Sequence, residues 1–140
     1  MKKLFPPILL GIFILLGLVL FINYGKNADK YKVFKKIFYK LEDKNLRLLV
    51  ADTPEKWQKG LMYFRTLEGV DGMIFIFPDS EIRTFWNKNT YMDLDIYWIN
   101  GDKVVGKNYL PSIEQSKRIV TVSSPEPADK VIEIPERLFF

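Results

Sequence analysis

The amino-acid sequence predicts a mainly β protein: a compact antiparallel β-barrel or sandwich with one short helix, preceded by an N-terminal transmembrane helix. Three observations lead to this fold class. Residues 4–22 contain no charged side chain, a later segment at 53–61 has the start signals of a helix, and short apolar runs separated by turn residues fill most of the chain from residue 73 onward. The 140 residues therefore divide into a transmembrane anchor at 1–25, a basic linker at 26–36 and one β-rich domain at 37–140.

The uncharged run at 4–22 has the length of a membrane span. A helix of this length reaches about 28 Å, close to the ~30 Å hydrocarbon core of a bilayer. Pro6 and Pro7 stand at its start, where a missing N–H is tolerated. A cleaved signal peptide is the alternative, but no A-x-A-like site follows the run. We therefore expect an uncleaved, single-pass signal anchor whose partner is membrane lipid.

The positive net charge of +4 belongs to the first third of the chain. Residues 45–140 carry 12 basic and 14 acidic side chains, so the predicted domain lacks the basic footprint of a nucleic-acid-binding protein. The absence of Cys and His excludes thiolate nucleophiles, imidazole catalysis and sulfur- or imidazole-ligated metal sites. We expect no nucleic-acid partner, no cofactor and no metal.

The first part of the domain predicts a hairpin. Apolar residues alternate with polar ones at 37, 39 and 41 and again at 46, 48 and 50, and the polar stretch at 42–45 suits a turn between them. Strand 36–41 should therefore pair with strand 46–51. The competing interpretation is an amphipathic helix that places Tyr31, Phe34, Phe38 and Leu41 on one membrane-facing stripe.

A short helix should follow, and strands should fill the rest. Thr53, Pro54 and Glu55 are favoured at the first positions of a helix, and Trp57 and Leu61 give it one apolar face. The predicted strands after it are 73–77, 83–86, 94–99, 103–105, 118–122 and 130–134, with a hairpin turn at 100–102.

The segment from residue 84 to 99 is the best candidate for a ligand site. It places polar and charged groups among aromatic and aliphatic ones, and such groups can bind a ligand's hydroxyl or carboxylate. Arg65 is added because a guanidinium can clamp an anion. The candidate ligand-binding residues are Arg65, Trp86, Lys88, Asn89, Thr90, Asp93 and Asp95; no residue is assigned as catalytic or metal-ligating.

Each candidate also has a structural interpretation. Lys88, Asn89 and Thr90 can tie a turn to backbone groups. Asp93 and Asp95, which should share one face of a strand, can belong to a solvated face or an ion pair. Trp86 and Trp98 can be core residues rather than a sugar-binding platform.

Several ordered motifs resemble the family called domain of unknown function 192. They are ADTPE at 51–55, KGLM at 59–62, GMIFIF at 72–77, FWNKNT at 85–90, LDI at 94–96, GDKVV at 101–105, SPEPA at 124–128 and VIEI at 131–134. The likeness covers residues 37–136. It implies a small β-rich, barrel-like fold found in exported or anchored proteins, and it implies no particular activity. It also favours an extracytoplasmic domain, although the Lys-rich stretch after the anchor favours the opposite orientation.

The chain departs from the family pattern at three positions. Phe64 stands where the pattern has Arg, and Arg65 follows one position later. Asn87 replaces Met within FWMKNT, and Asp93 replaces a Pro before LD.

These observations predict an uncharacterised, membrane-anchored envelope protein that acts as a non-catalytic ligand-binding or interaction module. Its expected ligand is a small molecule, a glycan or a protein. A hydrolase that uses Asp93 or Asp95 with Lys88 is one alternative. A structural partner in an envelope complex is the other, and it would present an exposed apolar patch instead of a pocket.

Overall fold

The computed structural model describes residues 31–136. The chain divides into two units, residues 1–33 and residues 34–140, and only residues 31–33 of the first are described. The predicted anchor at 4–22 lies outside the described residues. Within the described range, neither helix has the length and apolar character needed to cross a membrane.

Eight strands and two short helices make up the described part of the second unit. In chain order they are β1 (Lys35–Leu41), β2 (Lys44–Ala51), α1 (Pro54–Lys59), β3 (Gly72–Glu81), β4 (Thr84–Trp86), β5 (Leu94–Asn100), β6 (Lys103–Leu110), α2 (Ile113–Ser116), β7 (Thr121–Ser123) and β8 (Ala128–Pro135). The mainly β prediction is therefore confirmed.

The strands form one large sheet and one small one. The large sheet has the order β1-β2-β3-β8-β5-β6, and β4 pairs with β7 in the small sheet. β2 and β3 are parallel, because the connection that contains α1 returns the chain to the same end of the sheet; every other pair is antiparallel.

Two details of the predicted fold class are wrong. The large sheet is not closed into a barrel, since β1 and β6 remain its two edges. Its strands are mainly antiparallel, as predicted, with the single parallel pair β2–β3. The described residues also contain a second helix, α2, which has only four residues and so lacks the apolar periodicity that would predict it.

The hairpin at the start of the domain is confirmed. β1 pairs with β2 in the register Ile37↔Leu48 and Tyr39↔Leu46, as the alternating pattern indicated. The amphipathic-helix alternative is wrong: Phe38, part of its proposed stripe, is 80% exposed, because neighbouring strand residues point to opposite faces.

Helix α1 begins as its sequence predicts. Thr53 is the N-cap, and its side-chain oxygen accepts a hydrogen bond from the Lys56 backbone N–H at 3.4 Å. The Trp57 indole N–H lies 3.0 Å from the Ala51 carbonyl oxygen and 3.1 Å from that of Ile76. These bonds hold the helix against β2 and β3.

The bounds of the later strands agree with the sequence best where the apolar runs are long. The predicted strands 73–77, 94–99 and 130–134 fall inside β3, β5 and β8. β6 extends to Leu110, five residues beyond its predicted end, because polar residues there pair with β5. β7 starts only at Thr121, so most of the predicted strand 118–122 is not a strand.

The two faces of the large sheet have different cores. One face carries an aliphatic cluster that includes Ile74, Ile132 and Ile134. On the other face Phe75 meets Phe85 edge to face at 4.8 Å, and Phe85 meets Trp98 in the same way at 5.6 Å. This second face also lies under α1 and the residues that follow it, and it contains the candidate site.

Replacing Gly72 with Ala should destabilise the fold strongly. A Cβ at Gly72 would lie 2.1 Å from the backbone oxygen of Glu133, so β3 or β8 would have to move. We expect a loss of about 3 kcal/mol or more in the free energy of unfolding, measured by chemical denaturation.

Gly69→Ala is the matched control. A Cβ at Gly69 meets no atom within 4 Å, so only the positive φ of +67° penalises this substitution, by about 1 kcal/mol. Equal losses for the two variants would contradict the close approach of β3 and β8.

Candidate functional site

The candidate site is built around a carboxyl group in the middle of the large sheet. Glu133 lies in β8 opposite Met73 of β3 and Ile96 of β5, and only 5% of the residue is exposed. Its side chain is on the aromatic face, because Ile132 and Ile134 on either side of it belong to the aliphatic cluster.

The Glu133 carboxyl group is only partly satisfied. The Leu61 backbone N–H is near enough to oppose the rise of its pKa, whereas its Oε2 atom has no hydrogen-bond partner among the described residues. Burial raises the pKa of Glu133 to about 8, and the Leu61 backbone N–H acts in the opposite direction. At neutral pH the carboxyl group is therefore mostly uncharged and can donate a hydrogen bond.

The chain that leaves α1 passes directly over this carboxyl group. Gly60 has a φ of +46°, and a Cβ there would lie 3.2 Å from Cζ of Phe75 and 3.8 Å from Oε2 of Glu133. The glycine of KGLM therefore serves two purposes: it allows the positive φ and avoids a tight contact with the Phe75 ring beside the carboxyl.

A small cavity adjoins the carboxyl group. Its volume is about 30 Å³, which is enough for one or two water-sized atoms. Besides Glu133, its lining includes Trp57, Lys59, Leu61, Phe75, Trp86 and Thr90. We call this cavity the Glu133 pocket.

Two loops that line the pocket are joined to each other. The Tyr63 backbone N–H donates to the Asn89 carbonyl oxygen at 2.8 Å, and the Asn89 side-chain amide donates to the Tyr63 hydroxyl at 2.8 Å. Both residues have positive φ, +66° and +55°, a conformation that Asn tolerates better than most residues. The KGLM and FWNKNT motifs are thus coupled in space.

The mouth of the pocket is positively charged. The Lys88 ammonium lies 5.1 Å from the centre of the Trp86 ring, and the Lys59 ammonium lies 5.6 Å from the centre of the Phe34 ring. Within residues 31–136 neither lysine forms an ion pair. Trp86 is 45% exposed and offers an aromatic surface beside them.

Four of the predicted ligand-binding residues are at this pocket. Trp86 and Thr90 line it, and Lys88 and Asn89 lie in the turn between them. The turn is held by local hydrogen bonds: the Thr90 hydroxyl donates to the Lys88 carbonyl oxygen at 3.4 Å, and the Thr90 N–H donates to that of Asn87 at 3.0 Å. A structural role for this turn does not compete with a binding role for its side chains.

Arg65 and Asp93 lie in a separate and larger groove. Its volume is about 320 Å³, and residues 65–67, 91–93 and 135–136 line it. The Arg65 guanidinium stacks 4.3 Å from the centre of the Tyr91 ring and bonds to Glu114 at 2.9 Å. Both charged groups of that pair are more than half exposed, so the pair contributes little stability.

Asp95 is not brought together with the other candidates. It lies on the aliphatic face of the sheet, opposite Ile134, and its carboxylate bonds to the Lys107 ammonium at 2.8 Å. This is the ion pair that the structural interpretation of Asp95 anticipated. Trp98, fully buried in the core, donates its indole N–H to Asn108 at 2.6 Å and cannot serve as a sugar platform.

Two departures from the family pattern fasten the segment at 111–120. Asn87 is fully buried; its amide donates to the Pro111 carbonyl and accepts from the Val120 N–H, at 2.9 and 2.8 Å. The Asp93 carboxylate accepts a hydrogen bond from the Ser112 N–H at 2.7 Å. A Met or a Pro at these positions could not make these bonds, so they tie the α2 segment to the loops of the site.

Glu133 was missed among the predicted site residues. The signal that could have found it is its place as the only charged residue of VIEI, a strand with apolar residues on both faces. A carboxyl group in such a strand is either exposed at an edge or buried at considerable free-energy cost. The sequence alone does not say that β8 lies inside the sheet.

Comparison with known proteins identifies the family. The family profile described as DUF192, "Uncharacterized ACR", matches residues 37–139. The chain belongs to the DUF192 family. The resemblance predicted from its motifs is thereby confirmed.

Two solved structures are similar to this DUF192 protein. A proposed transcription regulator from Sinorhizobium meliloti 1021 is 28% identical with a TM-score of 0.58, and the match covers 75% of this chain and 83% of that one. A protein of unknown function from Novosphingobium aromaticivorans DSM 12444 is 25% identical with a TM-score of 0.60, and the match covers 75% of each chain. No curated protein matches the chain.

The burial of Glu133 should make stability depend on pH. Between about pH 4.5 and pH 8 the folded protein holds a proton on Glu133 that the unfolded chain has released. The free energy of unfolding contributed by this group is therefore present at low pH and is lost as pH rises through the folded-state pKa, by up to about 1.4 kcal/mol per pH unit.

Glu133→Gln removes the titration and keeps the shape of the side chain. The stability of this variant relative to the wild type should rise steadily from pH 5 to pH 8 in denaturation experiments. The control Glu126→Gln changes an exposed carboxylate and should leave the pH profile unchanged. Parallel profiles for wild type and Glu133→Gln would show that Glu133 is ionised in the folded state.

Proposed function

We propose that this DUF192 protein is a membrane-tethered, non-catalytic ligand-binding module, and that the Glu133 pocket is its binding site. The observation that carries this proposal is the buried, unpartnered Oε2 atom of Glu133, a residue that lines a cavity. A buried polar atom without a partner lowers stability by about 1–3 kcal/mol, so a ligand group that bonds to it recovers free energy on binding.

The composition of the pocket supports recognition of one small polar group. Aromatic and aliphatic side chains form most of its wall, and the polar groups are few and fixed in position. The half-exposed Trp86 offers a surface for the rest of the ligand. Coupling of the two loops through Tyr63 and Asn89 preorganises the wall and reduces the entropy lost on binding.

The two other function classes have less support. A hydrolase built from Lys88 with Asp93 or Asp95 requires these groups to act together, but Asp95 pairs with Lys107 and Asp93 bonds to Ser112. A purely structural partner would use a continuous apolar patch. Phe38 is the most exposed large apolar side chain of the described residues, and one such side chain does not by itself make a patch. Nucleic acid is not the proposed partner, because residues 45–140 have more acidic than basic side chains.

Small polar compounds that enter the pocket should stabilise the full-length protein against heat. A panel of organic acids, alcohols, monosaccharides and amines is screened by thermal shift. At a concentration of 100 times Kd, binding adds about 2.7 kcal/mol and raises Tm by several degrees.

Trp86→Ala should weaken the stabilisation that a bound compound provides. The control Phe38→Ala also truncates an exposed aromatic side chain, but on β1 and away from the pocket, and should not weaken it. The proposal fails if no compound in the panel stabilises the wild type, or if both variants respond as the wild type does. A compound that is consumed during the assay would favour an enzyme instead.

The tether of the proposed module is residues 4–22, with the DUF192 domain outside the cytoplasm. The uncharged length of this run supports a single span, and the family resemblance supports an exported domain. Lipid is then the partner of the anchor, while the soluble ligand belongs to the domain.

The full-length chain should remain with membranes after an alkaline wash and should be cleaved by protease added to intact cells. Leu15→Arg with Leu16→Arg places two charges in the middle of the run, each unfavourable by about 2.5–3.5 kcal/mol, and should release the chain. Lys2→Arg is the control and should remain bound. Recovery of the wild-type chain from the aqueous fraction without its first two dozen residues would contradict the tether.

A further inference from the structure

We propose that the Glu133 pocket binds the carboxylate group of a small organic acid, with Glu133 donating a hydrogen bond to one carboxylate oxygen. This inference rests on the proposed function, because it names the class of ligand for the same pocket. Three properties of the pocket favour a carboxylate: the protonated group at its wall, the cations at its mouth and its size.

The first property is the uncharged Glu133. The Leu61 N–H is near this carboxyl group, and Oε2 has no hydrogen-bond partner among the described residues. A protonated Oε2 can donate to a ligand oxygen, and two carboxyl groups that share one proton form a strong hydrogen bond between a neutral acid and an anion. The bound carboxylate would also disfavour ionisation of Glu133, so the two groups remain complementary.

The second property is the sign of the charge around the pocket. From α1 the charged group that lines the pocket is Lys59, and Lys88 lies over Trp86 at the mouth. The other groups facing Glu133 are uncharged: Met73 and Phe75 from β3, Phe85 from β4, Ile96 from β5, and Thr90. Among the described residues no second carboxylate lines the pocket.

This charge pattern discriminates between ligand classes. An ammonium group would approach two like charges and would need Glu133 to ionise first, whereas an anion is attracted to both lysines. A neutral alcohol or amide can bond to Oε2 but gains nothing from the lysines.

The third property is size. The cavity of about 30 Å³ holds one or two water-sized atoms, which corresponds to the two oxygens of a carboxylate. The apolar part of the acid would then lie outside, against the exposed face of Trp86. A short aliphatic or aromatic acid fits these dimensions better than a phosphate or sulfate ester, which has more oxygens to accommodate.

The proposal has a definite pH dependence. Binding of a carboxylate requires protonated Glu133, whose pKa is raised to about 8 in the free protein. The affinity should therefore be constant from pH 6 to about pH 7.5 and should fall about tenfold per unit well above pH 8.

The test uses the full-length protein and three probes of similar size: propionate, propionamide and propylammonium. Binding is followed at pH 6.5 by ¹⁵N NMR, through the backbone amide of Leu61 and the indole N–H groups of Trp57 and Trp86. Propionate should saturate these shifts, propionamide should bind at least tenfold more weakly, and propylammonium should bind more weakly still.

Variants at Glu133 separate recognition from packing. Glu133→Gln keeps a hydrogen-bond donor that does not titrate, so propionate should still bind and its affinity should no longer fall between pH 8 and pH 9.5. Glu133→Leu removes the donor and should abolish binding, with folding checked by the dispersion of the same spectrum.

The lysines provide the second set of variants. Lys59→Met and Lys88→Met should each weaken propionate binding several-fold, and the weakening should diminish at high salt. Lys103→Met, which removes an exposed lysine at the start of β6, should bind propionate as the wild type does.

The outcomes distinguish this inference from the function on which it rests. If propionamide or propylammonium binds at the pocket better than propionate, the carboxylate proposal is overturned and the pocket remains a binding site. An affinity for propionate that rises with pH also overturns it. If none of the probes shifts the Leu61 amide and no compound of the wider panel stabilises the protein, both proposals fail.

Discussion

The close packing of backbone around Glu133 is the constraint on which the rest of the site depends. Gly72 brings β3 against the backbone of Glu133, and Gly60 brings the end of α1 over its side chain. No side chain fits at Gly72 without moving a strand. The result is a carboxyl group removed from water in the middle of a sheet, with one backbone N–H near it and one oxygen unpartnered.

Such an arrangement is unfavourable for stability, and recognition of a ligand would explain why the chain keeps it. A Gln or an apolar residue at position 133 would avoid the dependence of stability on pH, yet the chain retains an acid whose pKa is raised by burial. Neither lysine near the pocket forms an ion pair with Glu133. The Lys59 and Lys88 ammonium groups lie over aromatic rings instead. An uncharged Glu133 with two lysines near it is suited to binding an anion. The same carboxyl group would be suited to proton transfer only if a second reacting group faced it.

The surrounding loops hold this geometry through polar contacts between residues that are distant in the sequence. Tyr63 and Asn89 join the loop after α1 to the turn after β4, and both residues adopt left-handed conformations to do so. Asn87 and Asp93 then attach the segment at 111–120 to that turn. The two similar structures share the DUF192 protein's overall fold at TM-scores of 0.58 and 0.60.

The sequence by itself determined the elements whose signals are local. Alternation specified the β1–β2 hairpin, Thr53 and Pro54 specified the start of α1, and ordered motifs specified the family. These signals act over a few residues, through side-chain direction and capping. Only the tertiary structure decided that β2 and β3 run parallel, that Asp95 faces away from the pocket and that Glu133 is buried. Strand order and burial depend on which distant segments pack together, and no local pattern around residue 133 contains that information.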